Sequence, residues 1–435
     1  MNKAEKSFDL VIAGGGAVGL TLALAIAQQS QLNVAVIEAN ERPEPQNKSE
    51  YSPKSTNSNA DDCTSNNDSF LDLRSVALSA QSTQILSELG LTSLSKFGCP
   101  ISHIHVSDKG HLGRSSLHAQ DYHLDALGQV IELPVLVELL QNEIQAYAQQ
   151  VTFYYGQSIE QLHKSADYVE LVLGDKQRLK ASLLAIAEGG NSPTREKSGI
   201  DIQLKDYQQS AIVANVALFD DHNNTAFERF TPDGPLALLP LKPASQHPDS
   251  YRSSLVWTLS RSQCESVLAL SDKEFIARLQ DEFGYRLGKI KAVGNRSAFP
   301  LVQSRALQHI QHRTALLGNA CQTLHPIAGQ GLNLGLRDVY ELVQIILSNQ
   351  SSEKTSDIGS YSGLQCYQQN RKSDQARLIG ATDLLVHTFS NRYPPLVLGR
   401  NLALGILDSH PRLKQILAHH AMGFHGTSGK SHAKL

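Results

Sequence analysis

The sequence predicts an α/β protein in which a nucleotide-binding domain is assembled from distant segments of the chain. An apolar stretch at residues 8–13 runs directly into a glycine-rich turn at residues 14–19, and an Ala/Leu-rich stretch follows. A second glycine-rich block occupies residues 318–338. Between residues 205 and 300, short apolar segments indicate an inserted β-sheet domain. Because each glycine turn follows a strand and opens a helix, we expect both turns to hold one dinucleotide.

The first glycine turn has the order of a Rossmann-like unit: strand, G-G-G-A-V-G, helix and then an acid. Gly14 permits the tight turn, Gly16 lets the backbone approach a pyrophosphate, and Gly19 allows close packing of helix on strand. The helix N-terminus offers unpaired N–H groups and about half a positive charge. Glu38 ends the next apolar segment, where a carboxylate accepts hydrogen bonds from a ribose diol. A glycine turn in another kind of α/β protein is the alternative.

Composition excludes several function classes. The chain has 435 residues and a formal net charge of −3, so charge gives no case for nucleic-acid binding. Its five cysteines include no C-x-x-C pair, and the histidines near the C-terminus are irregularly spaced, so we predict no metal site and a reducing, cytoplasmic location. The charged N-terminus is unlike a cleavable signal peptide, and no apolar run is long enough to span a membrane.

Changes in composition along the sequence predict how the chain is divided into domains. We expect a first part of the nucleotide-binding domain at residues 1–204, with a disordered polar insertion at 42–70, and the β-sheet substrate domain at 205–300. We expect the second part of the nucleotide-binding domain at residues 301–345, a helical C-terminal region at 346–422 and a disordered tail at 423–435.

Four motifs together resemble the flavoprotein aromatic hydroxylases of class A. They are G-x-G-x-x-G at the N-terminus, D-x-R at residues 72–74, a near-match to A-D-G-x-x-S at 187–192, and G-N-A at 318–320 leading into L-H-P-x-x-G-Q-G-x-N-x-G at 324–335. The last of these resembles the hydroxylases of ubiquinone biosynthesis. Further similarity extends over nearly the whole chain except the insertion and the tail.

This resemblance implies a p-hydroxybenzoate hydroxylase-like fold and a chemistry. FAD is reduced by NAD(P)H, with NADPH favoured, and reacts with O2 to a C4a-hydroperoxide that hydroxylates a phenol ring. The implied reaction converts 2-octaprenyl-6-methoxyphenol to 2-octaprenyl-6-methoxy-1,4-benzoquinol. Another ring hydroxylase of the same pathway, or a non-catalytic FAD-binding member of a ubiquinone-synthesis assembly, are the alternatives.

The resemblance also implies which residues hold FAD. They are Gly14, Gly16, Gly19, Glu38, Arg74, Gln129, Glu188, Gly318, Asn319, Pro326, Gly329, Gln330, Gly331, Leu332 and Asn333. The chain departs from the family at Asn319 and Glu188, where the family has Asp. Asn319 can still donate and accept hydrogen bonds, so we expect FAD binding of altered strength. Arg74 has a second interpretation, an ordinary surface ion pair with Asp72.

His325 and Pro326 are the candidate catalytic residues. A base within hydrogen-bond reach of the ring hydroxyl would activate the phenol, and His325 lies beside the flavin block. A histidine that is hydrogen-bonded for structural reasons is the alternative for His325. Pro326 and the glycines would lie against the flavin ring and help exclude water. A helix beginning near Gly331 would direct backbone N–H groups at the negative charge of the reduced flavin.

A polyprenyl substrate raises the question of how the protein meets it. Burial of hydrocarbon stabilises by about 0.8 kcal/mol per methylene, so the tail stays in a membrane. The stretch at residues 384–417 is rich in Leu, Val and Phe and contains two arginines. We expect part of it to contact the inner membrane surface or a partner subunit, with a core helix as the alternative.

Overall fold

The computed structural model describes residues 5–42, 71, 73–111, 113–244, 250–324, 330–350 and 357–389, together with residues 410, 415 and 422. In the last helix, the side chains of residues 377–379 and 381–389 are not described. Several expectations therefore lie outside the described residues. They are the insertion from residue 43 to 70, the loop of His325, Pro326 and Gly329, nearly all of the hydrophobic stretch at 384–417, and the tail at 423–435.

The first sheet is the mostly parallel one that the sequence predicts. Strands are numbered in chain order, and those of this sheet are β1 (Lys6–Ala13), β2 (Val34–Glu38), β8 (Val151–Tyr155), β9 (Ile159–Lys164), β10 (Val169–Leu173), β11 (Arg178–Ile186), β18 (Ile310–Gln311) and β19 (Thr314–Leu316). The main order is β18-β19-β11-β1-β2-β8, and β19, β11, β1, β2 and β8 run parallel. β9 and β10 add an antiparallel extension to β11. Nearly all side chains in the second half of β1 and in β2 are buried, because both faces of a parallel sheet are covered.

The second sheet is antiparallel over most of its width. Its strands are β5 (His103–Asp108), β6 (Arg114–His118), β12 (Ile202–Leu218), β13 (Thr225–Thr231), β14 (Gly234–Leu241), β15 (Tyr251–Ser260), β16 (Ile290–Val293), β17 (Ser297–Ala306) and β20 (Gln322–Thr323). Their main order is β20-β17-β12-β15-β14-β13-β5-β6. The strand-like segments predicted between residues 205 and 300 are confirmed as strands. The hairpin of β5 and β6, which precedes that region in sequence, joins the same sheet through β13.

A third, three-stranded sheet has the order β3-β7-β4. Its strands are β3 (Ser75–Ser79), β4 (Cys99–Ile101) and β7 (Gly128–Glu132). It packs against β14 of the second sheet. We propose that the first sheet marks the nucleotide-binding domain and the second sheet the substrate domain, with the third sheet between them.

The helices cover the sheets. They are α1 (Ala17–Gln29), α2 (Ala80–Glu88), α3 (Leu94–Phe97), α4 (Leu133–Ile144), α5 (Pro193–Lys197), α6 (Arg261–Leu268), α7 (Asp272–Phe283), α8 (Gln330–Gln350) and α9 (Tyr361–Phe389). α1 packs between α4 and α8 and is almost wholly buried, which explains its uniform Ala/Leu composition. No helix among the described residues is long and apolar enough to cross a bilayer.

Candidate active site

The first glycine turn joins β1 to α1 in a geometry that requires glycine at two positions. Gly14 has a positive φ of 110°, and a Cβ atom there would lie 2.5 Å from the carbonyl oxygen of Ala187. A Cβ atom on Gly19 would overlap the carbonyl oxygen of Gly14. Gly16 differs, because a Cβ atom on it would meet nothing within 4 Å. Protein atoms therefore pack closely against the turn at Gly14 and Gly19, whereas the space beside Gly16 is open. We predict the pyrophosphate in this open space.

Glu38 lies beside this turn and fixes its backbone. Its Oε2 accepts a hydrogen bond from the N–H of Gly15 at 2.7 Å, while Oε1 accepts from the backbone and side-chain N–H groups of Asn40 at 2.9 and 2.7 Å. A carboxylate has about four lone-pair sites, so Glu38 retains capacity for a ribose hydroxyl. The ribose role itself stays a prediction.

The second glycine turn packs directly on the first helix. Gly318, with φ of 58°, would place a Cβ atom 3.2 Å from a methyl group of Val18 in α1. A Cβ atom on Gly335 in α8 would lie 2.7 Å from the same methyl group and 3.2 Å from the Cα of Gly318. The small residues therefore bring α1, the turn at Gly318 and α8 together. Two segments far apart in sequence converge at one place.

The start of α8 is tied to the third sheet by Asn333. Its side-chain amide donates to the carbonyl oxygen of Ala77 at 3.0 Å, and its Oδ1 accepts from the N–H of Ser79 at 2.9 Å. The predicted cofactor residue thus uses its side chain to position β3 against α8. Leu332 packs on the core of the first sheet, whereas Oε1 of buried Gln330 has no partner among the described residues.

Asn319 and Gly331 lie next to each other where the second glycine turn meets the start of α8. The Oδ1 atom of Asn319 lies 3.5 Å from the position that a Cβ atom on Gly331 would take. Asn319 is exposed, and its side chain makes no hydrogen bond to the described residues. An amide in this position is available to a ligand, as predicted for the ribityl chain.

A buried ionic network holds the second turn in place, and sequence reasoning assigned it no role. Asp338 of α8 is fully buried; its Oδ2 accepts from the N–H of Gly318 at 2.9 Å and its Oδ1 from Nε of Arg371 in α9 at 2.6 Å. Asp374 accepts from both Arg337 and Arg371. The signal in the sequence was an acid on the apolar stripe of α8, between Leu334 and Leu342.

The loop after β11 approaches the same place, and Glu188 has an internal role there. Its carboxylate accepts hydrogen bonds from the N–H and hydroxyl of Thr194 at 3.0 and 2.6 Å and from the hydroxyl of Ser192 at 2.7 Å. Ser192 is the N-cap of α5, and Glu188 adds to the cap by accepting the N–H of Thr194 in the first turn. Because its carboxylate is engaged within the loop, the loop accommodates glutamate at this position.

Arg195 joins this loop to the second glycine turn and was not predicted as a site residue. Its side chain is 2% exposed, and Nη1 donates to the carbonyl oxygens of Gly190 and Ala320, both at 3.1 Å. A guanidinium can serve two carbonyl groups at once because its N–H donors point in fixed directions. Arg195 thereby sets the separation between the two loops.

Gln129 and Arg74 lie on the third sheet and next to it. Gln129 faces Leu78 across β7 and β3, and its Nε2 is buried with no partner among the described residues. Arg74 is exposed, and its guanidinium lies over the ring of Phe299 at 5.5 Å. Asp72, its alternative partner, lies outside the described residues. Both residues are available to a ligand.

The described residues around the second glycine turn do not favour thiol or metal chemistry. Burial, followed by the charge of Asp338, raises the pKa of the Cys321 thiol. A neutral buried thiol is a poor nucleophile. The described residues contain no cluster of His, Cys, Asp and Glu that could hold a metal ion.

The arrangement fits a flavin dinucleotide. α1 begins at Ala17, and its N-cap residue, Gly16, has no side chain to cap the helix, so the first N–H groups are available to an anion. The buried amide atoms of Gln129 and Gln330 that lack partners among the described residues would be further contacts for a polar cofactor. In this place Gly16 would take the pyrophosphate, Glu38 the ribose, and Asn319 with the start of α8 the flavin half.

Comparison with known proteins agrees with this geometry. The FAD binding domain family model matches residues 7–379. Ubiquinone hydroxylase UbiL of Rhodospirillum rubrum is 33% identical, over 97% of this chain and 90% of that protein. The 3-demethoxyubiquinol 3-hydroxylase of Escherichia coli K12 is 32% identical, over 95% of this chain and 98% of that enzyme. The chain belongs to the FAD-dependent ubiquinone-biosynthesis hydroxylases.

Solved structures support the fold of this hydroxylase. The p-nitrophenol 4-monooxygenase PnpA of Pseudomonas putida DLL-E4 superimposes with a TM-score of 0.71, at 16% identity over 96% of this chain and 98% of that chain. Pseudomonas aeruginosa PqsL gives 0.72, at 19% identity over 92% and 99%. The predicted fold class and the predicted cofactor FAD are confirmed. The hydroxylase is an FAD-dependent aromatic monooxygenase, so the non-catalytic alternative is set aside; NAD(P)H and O2 are typical co-substrates of its class.

Replacing Glu188 in the hydroxylase by Gln tests its capping role. We expect the free energy of unfolding to fall by about 1 kcal/mol, since the neutral amide replaces one acceptor of the cap by a donor. FAD affinity should change less than threefold, because the carboxylate is engaged within the loop. Urea unfolding and flavin titration measure the two quantities. A large loss of FAD affinity with unchanged stability would contradict the capping role.

Replacing Asn319 by Asp restores the residue usual in the family. The carboxylate accepts stronger hydrogen bonds from ribityl hydroxyls than the amide does, and it lies near the N-terminus of α8. We expect FAD to bind about three- to tenfold more tightly, as measured by flavin fluorescence on titration. Asn319→Ala is the matched control and should weaken binding. Equal affinity in all three proteins would show that this side chain makes no contact with FAD.

Proposed function

We propose that this hydroxylase converts a polyprenylated methoxyphenol, 2-octaprenyl-6-methoxyphenol, to 2-octaprenyl-6-methoxy-1,4-benzoquinol. The observation that supports it is the full-length similarity to ubiquinone hydroxylases, on a chain whose two glycine turns meet as an FAD site requires. Bound FAD, reduced by NAD(P)H with NADPH favoured, would supply the activated oxygen. The residues of the chain hold the cofactor, orient the ring and keep water away.

Within this proposal, His325 and Pro326 keep their predicted roles beside the flavin ring. Gln129, whose amide nitrogen has no partner among the described residues, and exposed Arg74 would contact the middle of the cofactor, and Glu188 would act through the loop whose backbone it binds. The buried network around Asp338 fixes the turn at Gly318 against α8. A rigid framework of this kind suits a reaction in which the ring must lie close to the reacting atom.

A second candidate is hydroxylation at another ring position of the same pathway. It is favoured by the similarity to the E. coli enzyme named 3-demethoxyubiquinol 3-hydroxylase. Mass spectrometry of lipid quinones in a strain that lacks this protein separates the two. Accumulation of the methoxyphenol supports the first candidate, accumulation of demethoxyubiquinol supports the second, and normal ubiquinone overturns both.

For the location, we propose that the protein works on the cytoplasmic side of the inner membrane and attaches to its surface or to a ubiquinone-synthesis assembly. The reason is chemical, since a polyprenyl substrate stays in the bilayer. The predicted contact stretch at 384–417 stays a prediction. Flotation with phospholipid vesicles, comparing the full chain with a form truncated after residue 389, tests it; equal flotation would contradict it.

A further inference from the structure

The second sheet has one face covered by helices and an opposite face that contacts the third sheet. α6 and α7 pack on the first face, where Leu238, Trp257 and Phe275 belong to one buried cluster. On the opposite face, Ala226 packs with Ile101 and Val130 of the third sheet. The third sheet is itself fastened to the start of α8 through Asn333. We therefore expect the second face to border the predicted cofactor region.

Glu228 lies on this second face. Side chains alternate along a strand, so Glu228 points to the same side as Ala226 and Phe230, while Phe227 packs against Phe283 of α7 on the other side. Its neighbours in register are Val106 on β5 and Ala237 on β14. Burying a carboxyl group among apolar neighbours without a hydrogen-bond partner costs free energy, so such a group is a candidate for a functional role.

The Glu228 carboxylate makes no hydrogen bond or ion pair with any described residue, although the side chain is only partly exposed. Burial raises its pKa to about 7. Asp108, in register with Phe230, is the acid nearest along β5, and it is buried and has partners of its own. A carboxylate with a pKa near neutrality and no partner among the described residues is the kind of acceptor that a phenol hydroxyl requires.

We propose that Glu228 accepts the hydrogen bond of the substrate's ring hydroxyl and takes its proton. The O–H bond of the phenol breaks, the proton passes to the carboxylate, and the electron pair stays on the phenolate oxygen, which enriches the ring carbons ortho and para to it. After the ring carbon has been hydroxylated and has lost its hydrogen, the proton returns from Glu228 to the oxygen. Glu228 would thus be a catalytic residue, and it would take the role of base for which His325 is the other candidate. The inference rests on the proposed phenolic substrate.

The test uses FAD-loaded enzyme and two probes, a short-chain 2-alkyl-6-methoxyphenol and its O-methyl ether, which has no hydroxyl proton. We expect the wild type to bind the phenol at least tenfold more tightly than the ether, as read from perturbation of the flavin spectrum. Glu228→Gln should lose most of this preference and lower kcat by about 10²- to 10⁴-fold. Glu170→Gln, on β10 far along the first sheet, is the matched control and should behave as wild type.

A stability measurement guards against a merely structural effect. Because the folded-state pKa is raised, ionised Glu228 destabilises the apoprotein, and this loss grows as pH rises from about 4.5 through 7. Glu228→Gln should therefore melt at a higher temperature than wild type at pH 8.5, with the gap closing towards pH 4.5. A folded Glu228→Gln enzyme that keeps the phenol preference and the rate overturns the role of Glu228. Failure of both probes to bind wild type overturns the proposed substrate instead.

Discussion

Gly16→Ala should give a folded protein that no longer retains FAD. The Cβ atom would meet no protein atom within 4 Å, so the free energy of unfolding of the apoprotein should stay within about 0.5 kcal/mol of the wild-type value. The same methyl group would occupy the space at the uncapped start of α1, where we predict the pyrophosphate. We expect the FAD dissociation constant to rise by at least 100-fold, measured by flavin fluorescence on titration of apoprotein.

Gly19→Ala provides the contrast. Its Cβ atom would overlap the carbonyl oxygen of Gly14, so we expect misfolded or insoluble protein. Gly19→Ala tests whether the turn can close, whereas Gly16→Ala tests whether the cofactor has space beside the turn. If Gly16→Ala bound FAD as the wild type does, the pyrophosphate would lie elsewhere, and the assignment of this turn would be wrong.

Asp338→Asn should cause the largest loss of stability among polar substitutions in the site. The change leaves Arg371 with Asp374 as its remaining acid, in a region where both arginines of the network are buried. Removing one partner of a buried ion pair costs about 3–5 kcal/mol, because the other charge stays out of water. Urea unfolding measures the loss, and weaker FAD binding should accompany it since the N–H of Gly318 loses its charged acceptor.

The control is Asp206→Asn, which removes an exposed ion pair with Arg261. Exposed pairs contribute about 0–1 kcal/mol, so this variant should unfold close to wild type. A double variant, Asp338→Asn with Arg371→Gln, should recover part of the stability by removing the uncompensated charge. A loss below 1 kcal/mol for Asp338→Asn would show that the network contributes little.

The glycine turns and the main strands could be predicted from sequence because their signals are local. The apolar run before Gly14 became β1, and the Ala/Leu-rich stretch that follows the glycine turn became α1. α6 and α7 were not predicted, although α7 begins with a capping box and its residues Phe275, Leu279 and Phe283 have helical spacing. The hairpin of β5 and β6 lies outside the segment predicted as the substrate domain, and its pairing with β13 depends on packing between segments that are distant in sequence.

The candidate site was predictable as a set of loops but not as a set of contacts. Glycine positions follow from the backbone they require, whereas the partners of Asn333, Asp338 and Arg195 depend on how separate elements pack. Glu188 shows the difference clearly. Its departure from the family residue was visible in the sequence, but the cap on α5 that accommodates it exists only in three dimensions.

β19 and β20 have a consequence for how the substrate space is built. β19 ends at Leu316 in the first sheet, and β20 begins at Gln322 in the second, so only five residues link the two layers there. Gly318 and Asn319 are among them. We therefore expect a tilt of one layer against the other to be felt at these residues, which are predicted to hold the flavin half of the cofactor. The angle at which the substrate ring meets the cofactor would then depend on this short connection.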